Sequence, residues 1–282
     1  MIASSSSSLS NTWIVRPRPK PDARLRLFCF PYAGAGPAVY RSWADELPAE
    51  VEVCSILLPG REARLREKPY VSMQPLVEGL LQGLGGLLEG GYAFYGHSLG
   101  ALIAFELARA LRRQGRPLPV HLFLSSRRAP HLPDERAPLH NLPDALFVAA
   151  VQRRYQGIPP VILQDAELLA LFLPTLKADF AVLETYRYET DSSVFEMPFS
   201  LYGGATDPTT PPEALEAWRG YTSGKFSVET YPGDHFFLQN NERSSSRALL
   251  LQAIARELRL RLLQSGGSPA DGAKAAFAGG GV

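Results

Sequence analysis

The Gly-His-Ser-Leu-Gly pentapeptide at residues 96–100 is the feature that most limits how this chain can fold. It follows a short aromatic run, residues 92–95, typical of a β-strand, and it opens an alanine- and leucine-rich run, residues 101–108, typical of a helix. Gly-x-Ser-x-Gly between a strand and a helix is the pattern of a nucleophile elbow, a turn that holds a serine hydroxyl above a sheet. A turn this tight leaves no room for a Cβ atom at either flanking glycine. The pattern therefore predicts Ser98 as a nucleophile carried by a strand–turn–helix unit.

Composition and charge narrow the class of protein. The 282 residues are 45% hydrophobic and 20% charged, which suits one large domain with a substantial core. The formal net charge of +1 gives no overall field that attracts nucleic acid or an anionic membrane, so neither partner is expected. The isolated cysteines, Cys29 and Cys54, match neither a disulfide framework nor a metal-site pattern. We expect both to be buried thiols in a reducing compartment.

The ends of the chain differ in composition from its middle. Residues 1–11 are serine-rich and residues 264–282 are rich in glycine and alanine, so both are predicted to be disordered. The folded domain is then expected over residues 12–263. No apolar run is long enough for a membrane-spanning helix, and the first residues lack the basic and apolar regions of a secretory signal. A cytoplasmic, monomeric protein is the expectation.

Strand-like and helix-like segments alternate along most of the domain. Several of the strand-like segments are continuous apolar runs, which favours a mostly parallel central sheet flanked by helices. The predicted strands cover residues 12–15, 24–30, 51–58, 92–95, 120–125, 197–202 and 226–231. Together with the elbow, this alternation predicts the α/β-hydrolase fold.

Residues 141–188 interrupt the alternation with helical pattern and no strand. Helices are predicted to begin near residue 142, over 165–173, and again from Pro174 to Tyr186. We interpret this insertion as a helical lid over the elbow, lined by apolar side chains for an acyl group. The alternative is that its helices simply pack on the sheet.

His235 is the predicted general base. A serine hydroxyl needs a base within hydrogen-bond reach and an acid that orients that base, and α/β-hydrolases place them in the chain order serine, acid, histidine. Of the five histidines, His97 adjoins the nucleophile, His121 lies within a strand, and His131 and His140 precede the lid. Only His235 falls in a loop after the last predicted strand.

Asp207 is the predicted acid. It lies in the loop that follows the penultimate predicted strand, where the carboxyl end of the sheet meets the elbow. Asp234 is a rival, although its adjacency to His235 makes the required orientation difficult. Asp191 is a weaker rival because it precedes the strand. An aspartate before a proline is also a common turn residue, which is the plainer interpretation of Asp207.

Two backbone N–H groups are expected to stabilise the tetrahedral intermediate. One belongs to Leu99, the residue after the nucleophile. The other is predicted to come from the small-residue loop at 31–36, with Ala33 as the candidate. A phosphate-binding loop is not indicated, because no Gly-Lys-Ser/Thr sequence follows.

The chain also resembles type II thioesterases, the editing enzymes of polyketide and nonribosomal peptide synthetases. The segments that carry the resemblance, which runs from about residue 24 to 263, are Phe-Pro-Tyr-Ala-Gly (30–34), Leu-Pro-Gly-Arg (58–61), the elbow, Ser-Arg-Arg-Ala-Pro (126–130) and Gly-Asp-His-Phe-Phe (233–237). The resemblance implies hydrolysis of acyl groups from the phosphopantetheine thiol of an acyl or peptidyl carrier protein, without metal or organic cofactor. Ala35 stands where the family loop usually has glycine, and Leu99 where methionine is common.

Carrier proteins are generally acidic, so basic residues near the pocket are candidate contacts. Arg127, Arg128 and Arg136 precede the lid. A second group, Arg61, Arg64 and Arg66, follows an early strand. Both groups are predicted to form a basic rim, and for any single arginine an ordinary solvated side chain or an internal ion pair is an equal alternative.

Four other functions fit parts of the pattern. A medium-chain acyl-releasing thioesterase, or an esterase or lipase for small oxoesters, would use the same triad. A cyclising terminal domain would have to exclude water from the acyl-enzyme, and the sequence offers no carrier domain to support it. A non-catalytic binding module would not need Ser98, Asp207 and His235 together.

Overall fold

A computed structural model describes residues 11–190, 193–239 and 245–265. Strands and helices alternate along the chain as the sequence predicts. Their bounds are β1 Ile14–Val15, β2 Leu25–Phe30, α1 Trp43–Glu46, β3 Val51–Ile56, α2 Met73–Leu84, β4 Tyr92–His97, α3 Leu99–Arg113, β5 Leu122–Ser125, α4 Asp144–Tyr155, α5 Pro160–Leu163, α6 Ala166–Thr185, β6 Phe199–Gly204, α7 Pro212–Glu216, β7 Phe226–Tyr231 and α8 Ser246–Ser265. Short 3₁₀ turns lie at Pro37–Tyr40, Glu62–Arg64, Gly85–Leu88 and Ala217–Tyr221.

The strands form one seven-stranded sheet in the order β1-β3-β2-β4-β5-β6-β7. The short edge strand β1 runs antiparallel to β3, and every other pair is parallel. The prediction of a mostly parallel sheet is therefore confirmed. Strand β4 lies at the centre, so the elbow that follows it opens at the middle of the sheet's carboxyl edge, where ligands of open α/β sheets bind.

Alternate residues of each strand enter different cores on the two faces of the sheet. Phe28 and Phe30 of β2 pack in the core formed with α2 and α3. Leu27 and Cys29 of the same strand face the opposite core, formed with α8. Cys29 and Cys54 are free and fully buried, and burial raises the pKa of the Cys54 thiol to about 12. The prediction of two buried thiols is confirmed.

The insertion between β5 and β6 has a small apolar core of its own. Its buried side chains come from the loop before α4, from α4, from the loop after it and from α6, and they are Leu139, Phe147, Val151, Ile158, Leu173, Leu176 and Phe180. Phe147 and Phe180 meet edge to face with ring centroids 5.4 Å apart. The insertion thus contributes helices and no strand, as predicted, and its role as a lid stays a prediction.

One predicted helix boundary in the insertion is wrong. Helix α6 runs without interruption from Ala166 to Thr185 and contains Pro174 inside it, where the sequence predicted one helix to end and another to begin. Pro174 is exposed, whereas Leu173 and Leu176 beside it are buried in the insertion's core. Burial of these neighbours outweighs the local preference of proline to end a helix.

The predicted tails fall almost entirely outside the described residues. Only residues 11, 264 and 265 of the predicted tails are described, and the last two continue α8. Asp191, the weaker rival for the catalytic acid, also lies outside them. No helix in the described part of the chain is long and apolar enough to cross a lipid bilayer.

We expect Pro174→Ala to raise the free energy of unfolding by about 1–3 kcal/mol, because alanine restores the missing backbone donor in an exposed helix interior. Urea unfolding of the wild type and the variant measures the difference. The exposed Leu171 of the same helix provides a control, since Leu171→Ala should change stability by under about 0.5 kcal/mol. If Pro174→Ala were less stable than the wild type, proline would not be unfavourable at this position of α6, and the explanation would be wrong.

Candidate active site

The elbow is held in shape by close backbone contacts. Ser98 has φ 55° and ψ −111°, a conformation that a non-glycine residue seldom adopts, at the junction of β4 and α3. A Cβ atom on Gly96 would overlap the carbonyl of Gly100, and one on Gly100 would overlap the carbonyl of Phe30. The two glycines are therefore required by packing, as the sequence predicted, and the strain at Ser98 is of the kind found at functional sites.

The three side chains predicted as a catalytic triad lie in hydrogen-bond contact. His235 Nε2 is 3.0 Å from Ser98 Oγ, and His235 Nδ1 is 2.7 Å from Asp207 Oδ2. All three residues are buried. The arrangement matches that of a hydroxyl, a base and an orienting acid.

Asp207 is stabilised as a carboxylate. Its burial alone would raise its pKa, but hydrogen bonds with His235, Thr210 and Thr209 outweigh burial and hold the pKa well below the ordinary value. Thr209 donates its backbone N–H to Asp207 Oδ1 at 2.8 Å, and the Thr210 hydroxyl donates to Oδ2. The sequence analysis did not single out these threonines, although Asp-Pro-Thr-Thr is a pattern in which side chains bond within a turn.

His97 positions the loop that carries His235. Its Nε2 atom is 2.8 Å from the carbonyl oxygen of His235, and its Nδ1 atom is 3.0 Å from Ser125 Oγ. Burial, followed by the charge of His235, lowers the pKa of His97 well below its ordinary value, so the ring is neutral. Because a carbonyl only accepts, Nε2 carries the proton and Nδ1 accepts from the Ser125 hydroxyl.

The predicted oxyanion donors have no acceptor within the described chain. The N–H groups of Ala33 and Leu99 hydrogen-bond to no described residue, whereas the neighbouring Gly34 and Ala35 N–H groups bond to Asp179 and to the Tyr32 carbonyl. Ala33 and Ser98 line the same cavity. Two unsatisfied donors beside a nucleophile suit an oxyanion, and their role there stays a prediction.

Comparison with known proteins identifies the family. Residues 25–256 match the thioesterase domain. The gramicidin S biosynthesis protein GrsT of Aneurinibacillus migulanus is 44% identical over 252 residues, covering 89% of this chain and 96% of that protein. This chain belongs to the thioesterase family. The resemblance carried by the sequence motifs is thereby confirmed, and the protein is a hydrolase of thioesters.

Solved structures agree with the family and with the fold. The RedJ thioesterase of the prodiginine pathway of Streptomyces coelicolor superposes with a TM-score of 0.79 at 40% identity, covering 86% of this chain and 94% of that one. The type II thioesterase BorB of the borrelidin biosynthetic cluster gives a TM-score of 0.76 at 32% identity, covering 88% and 96%. The predicted α/β-hydrolase fold is confirmed.

The other polar candidates of this thioesterase have structural partners. Asp234, the rival acid, is exposed and accepts the Phe236 N–H within its own turn. His121 bonds to Ser200, and His140 bonds to Glu184. Among the described residues, no group of three or more histidine, cysteine or acidic side chains is placed to hold a metal ion.

The predicted basic rim is wrong for Arg61 and Arg64. Both arginines are buried and paired: Asp179 holds Arg61, and the exposed Glu67 together with the Leu57 carbonyl holds Arg64. Arg66 is exposed and does not line the catalytic cavity. The other group, Arg127, Arg128 and Arg136, does line the cavity.

Asp179 joins the insertion of the thioesterase to the loop that carries Ala33. From α6 its carboxylate binds Arg61 through two hydrogen bonds of 2.9 and 2.7 Å and accepts the Gly34 N–H at 2.7 Å. Arg61 also donates to the Ala35 carbonyl at 2.7 Å. Asp179 could not be predicted from the sequence, because no motif lies near it in the chain. The Arg61–Asp179 ion pair therefore fixes the backbone at Gly34 and Ala35, the two residues that follow Ala33.

We expect Asp207→Asn to lower kcat on the order of 10⁴-fold, because an amide cannot hold the His235 proton on Nδ1 as a carboxylate does. Asp207 also ties stability to pH. Its pKa is lower in the folded than in the unfolded chain, so its ionised form stabilises the fold fully above about pH 4, and this contribution is lost as the pH falls below that value.

The free energy of unfolding is measured for the wild type and for Asp207→Asn from neutral pH downward. The difference between the two proteins should become smaller as the pH falls. Asp234→Asn, in an exposed turn, is the matched control and should leave kcat and the pH profile nearly unchanged. An equal kinetic loss in both variants would contradict the assignment of the acid.

We expect Asp179→Ala to destabilise the protein by about 3–5 kcal/mol, because it leaves the buried Arg61 guanidinium without its counter-charge. The double variant Arg61→Met/Asp179→Leu, which removes both charges, should be less destabilised than Asp179→Ala. Denaturant unfolding of the three proteins makes the comparison. If the double variant were the least stable, the pair would contribute net stability and desolvation would not dominate its energetics.

Proposed function

We propose that this thioesterase hydrolyses acyl groups from the phosphopantetheine thiol of acyl or peptidyl carrier proteins, and so clears aberrant acyl units from a polyketide or nonribosomal peptide assembly line. The observation that carries the proposal is the contact chain Ser98–His235–Asp207 at a cavity that also presents the Ala33 backbone. GrsT and BorB, both named for biosynthetic pathways of this kind, support it.

The reaction takes place in two steps. His235 accepts the Ser98 proton as Ser98 Oγ attacks the thioester carbonyl carbon, and the Ala33 and Leu99 N–H groups bind the oxyanion. The tetrahedral intermediate expels the pantetheine sulfur, which takes the proton from His235, and an acyl-serine remains. His235 then removes a proton from water, the hydroxide attacks the acyl-serine, and the free acid leaves as Ser98 Oγ regains its proton. Protein groups alone perform these steps.

The size of the cavity favours a short acyl group. It has a volume of about 40 Å³, room for a few water-sized groups. Apolar side chains of the insertion form one wall: Val151, Leu176, Phe180 and Leu183. Aromatic side chains of Tyr32, Tyr155 and Phe236 form another. A small acyl chain gains binding free energy because its apolar surface is buried against these side chains. A longer chain would be buried in the same way only after the wall moves.

A carrier protein fits the charge at the cavity mouth. Arg128 and Arg136 are partly exposed there and share Asp134 as acidic partner. The surplus positive charge would attract an acidic partner and increase its rate of association more than its affinity. No metal or organic cofactor is required by this mechanism, and a monomer remains our expectation.

We expect Ser98→Ala to reduce hydrolysis of a butyryl-loaded carrier protein by on the order of 10⁴-fold or more, because the nucleophile is lost. Release of butyrate is followed by mass spectrometry of the carrier. The exposed Ser245, which does not line the cavity, provides the control variant Ser245→Ala, which should keep wild-type activity. Undiminished activity of Ser98→Ala would contradict the serine mechanism.

The same assay separates a thioesterase for carriers from a general esterase. With wild-type protein, kcat/KM for butyryl carrier should exceed that for p-nitrophenyl butyrate at least about 10-fold, a difference of about 1.4 kcal/mol in transition-state binding. Equal or faster cleavage of the oxoester would favour the esterase function instead.

A further inference from the structure

The loop after β2 reverses at Ala33 through a β-turn of residues 32–35, the Ala33 turn. The Ala35 N–H donates to the Tyr32 carbonyl at 3.0 Å, which closes the turn. Gly34 stands at its third position with φ 77°, whereas the φ of Ala33 is not positive, and this combination is that of a type II turn. The commoner type I turn differs from it mainly in the direction of the central peptide, which here joins Ala33 to Gly34.

The sequence of the Ala33 turn does not by itself fix the direction of that peptide. Glycine adopts positive and negative φ with similar ease, so Gly34 fits the third position of either turn type. A contact from another part of the chain is therefore needed to select one form. In a trans peptide the N–H and the C=O point in opposite directions, so a partner bound to the Gly34 N–H also fixes the Ala33 carbonyl.

Asp179 provides this contact from α6. Its Oδ2 atom accepts the Gly34 N–H at 2.7 Å and an Arg61 N–H at 2.9 Å, while Oδ1 accepts a second Arg61 N–H at 2.7 Å. Arg61 is 7% exposed and Asp179 is 3% exposed, so water competes little for these bonds. An N–H is held more strongly by a carboxylate than by a neutral oxygen. The opposite direction of the peptide would turn the Ala33 carbonyl towards the carboxylate, which would repel it.

Arg61 holds the other end of the Ala33 turn. It lies in the loop after β3 and donates to the Ala35 carbonyl at 2.7 Å. The same loop is tied to α6 a second time, because the buried Thr175 hydroxyl donates to the Gly60 carbonyl at 2.5 Å. The loop after β2, the loop after β3 and helix α6 are thus joined around the Ala33 turn.

We propose that Asp179 is a positioning residue of the reaction, which holds the Ala33 turn in its type II form and so preorganises the oxyanion hole. Arg61 orients the Asp179 carboxylate. The Ala33 N–H belongs to the peptide just before the central one, so a turn that changes form displaces this donor. Donors already in place need no reorganisation as the oxyanion develops, which is the source of their effect on rate. The inference rests on the proposed function, in which the Ala33 N–H binds the oxyanion.

Asp179→Asn tests the proposal, because the amide has a similar size but carries no charge and has one acceptor oxygen in place of two. With S-butyryl N-acetylcysteamine, kcat should fall about 10- to 100-fold, less than or equal to the loss of about 10²- to 10³-fold for removal of an oxyanion donor, since the donor is displaced and not removed. KM should change less than about threefold, because ground-state binding is kept. Arg61→Lys retains a charge beside Asp179 and should lose less activity than Arg61→Met.

A trifluoromethyl ketone gives a readout that a merely structural role would not change. Trifluoromethyl propyl ketone matches the butyryl group. Ser98 Oγ adds to its carbonyl carbon as His235 takes the hydroxyl proton, and the carbonyl oxygen becomes an oxyanion. In Asp179→Asn the inhibition constant of the ketone should rise by the factor by which kcat/KM falls, whereas the dissociation constant of butyrate should stay within about twofold. The assays are run at a temperature at which circular dichroism shows each variant folded.

Asp144→Asn is the matched control. Asp144 pairs at 2.8 Å with Lys177, which lies two positions before Asp179 on α6, and this ion pair near the surface joins α6 to α4 and not to the Ala33 turn. Its loss should leave kcat and the inhibition constant unchanged. An equal effect in Asp144→Asn and Asp179→Asn would mean that any weakened contact of α6 has the same result, and Asp179 would have no specific role.

Unchanged values of kcat and of the inhibition constant in Asp179→Asn would overturn the proposal. A loss explained entirely by a higher KM and weaker butyrate binding would overturn it as well. If Asp179→Asn does not fold, Arg61→Met/Asp179→Leu, which also lacks the acceptor for the Gly34 N–H, replaces it with the same expected loss.

Failure of the proposed function is recognised separately. If the serine mechanism is wrong, fluorine NMR of the wild type with the ketone will show no hemiketal, and the inference fails with it. A hemiketal in the wild type together with an unchanged inhibition constant in Asp179→Asn refutes only the role of Asp179. None of these assays uses a carrier protein, so their outcome does not depend on the carrier part of the proposed function.

Discussion

The close approach of three backbone segments at the elbow is the constraint on which the rest of the active site depends. The end of β4, the start of α3 and the loop after β2 meet where Gly96 and Gly100 leave no space for a side chain. That contact places Ser98 above the sheet and sets the Ala33 backbone beside it. Because α3 is buried on nearly every face, it cannot shift to relieve the strain at Ser98. The strained conformation of this serine is thus a product of packing in the core.

Two buried carboxylates hold the loops of His235 and Ala33 in place around the elbow. Asp207 fixes the ring of His235, and Asp179 fixes the backbone around Ala33. Each satisfies backbone or side-chain donors that would otherwise be unpaired in the interior, and each has a cationic or polar partner of its own. A neutral His97 holds the His235 backbone from below without adding charge. The predicted catalytic groups are therefore oriented by a polar network whose members come from both the sheet and the insertion.

The sheet, the elbow and the positions of Ser98, Asp207 and His235 could be predicted, because they depend on strand periodicity and on chain order at the carboxyl edge of a parallel sheet. The path of α6 through Pro174 could not, since burial of its neighbours decided it. It was also impossible to predict which of the arginines would be paired with a carboxylate. Arg61 and Arg127 both follow a strand and look alike in sequence, but only Arg61 meets a carboxylate, from Asp179 more than a hundred positions away.

The same helix that lines the cavity also holds the loop of Ala33, the predicted oxyanion donor. Leu176 and Phe180 of α6 form part of the cavity wall, and Asp179 between them binds Arg61 and Gly34. Moving α6 away from the sheet would separate a buried ion pair, at a cost of about 3–5 kcal/mol when one partner is left uncompensated. Helices α4 and α5 have no such tie to that loop in the described residues, and α5 has no buried side chain. If the insertion is the predicted lid, its opening should therefore cost less on the side of α4 and α5, where Tyr155 and Gly157 line the cavity, while α6 stays in place and keeps the Ala33 backbone at the same cavity as Ser98.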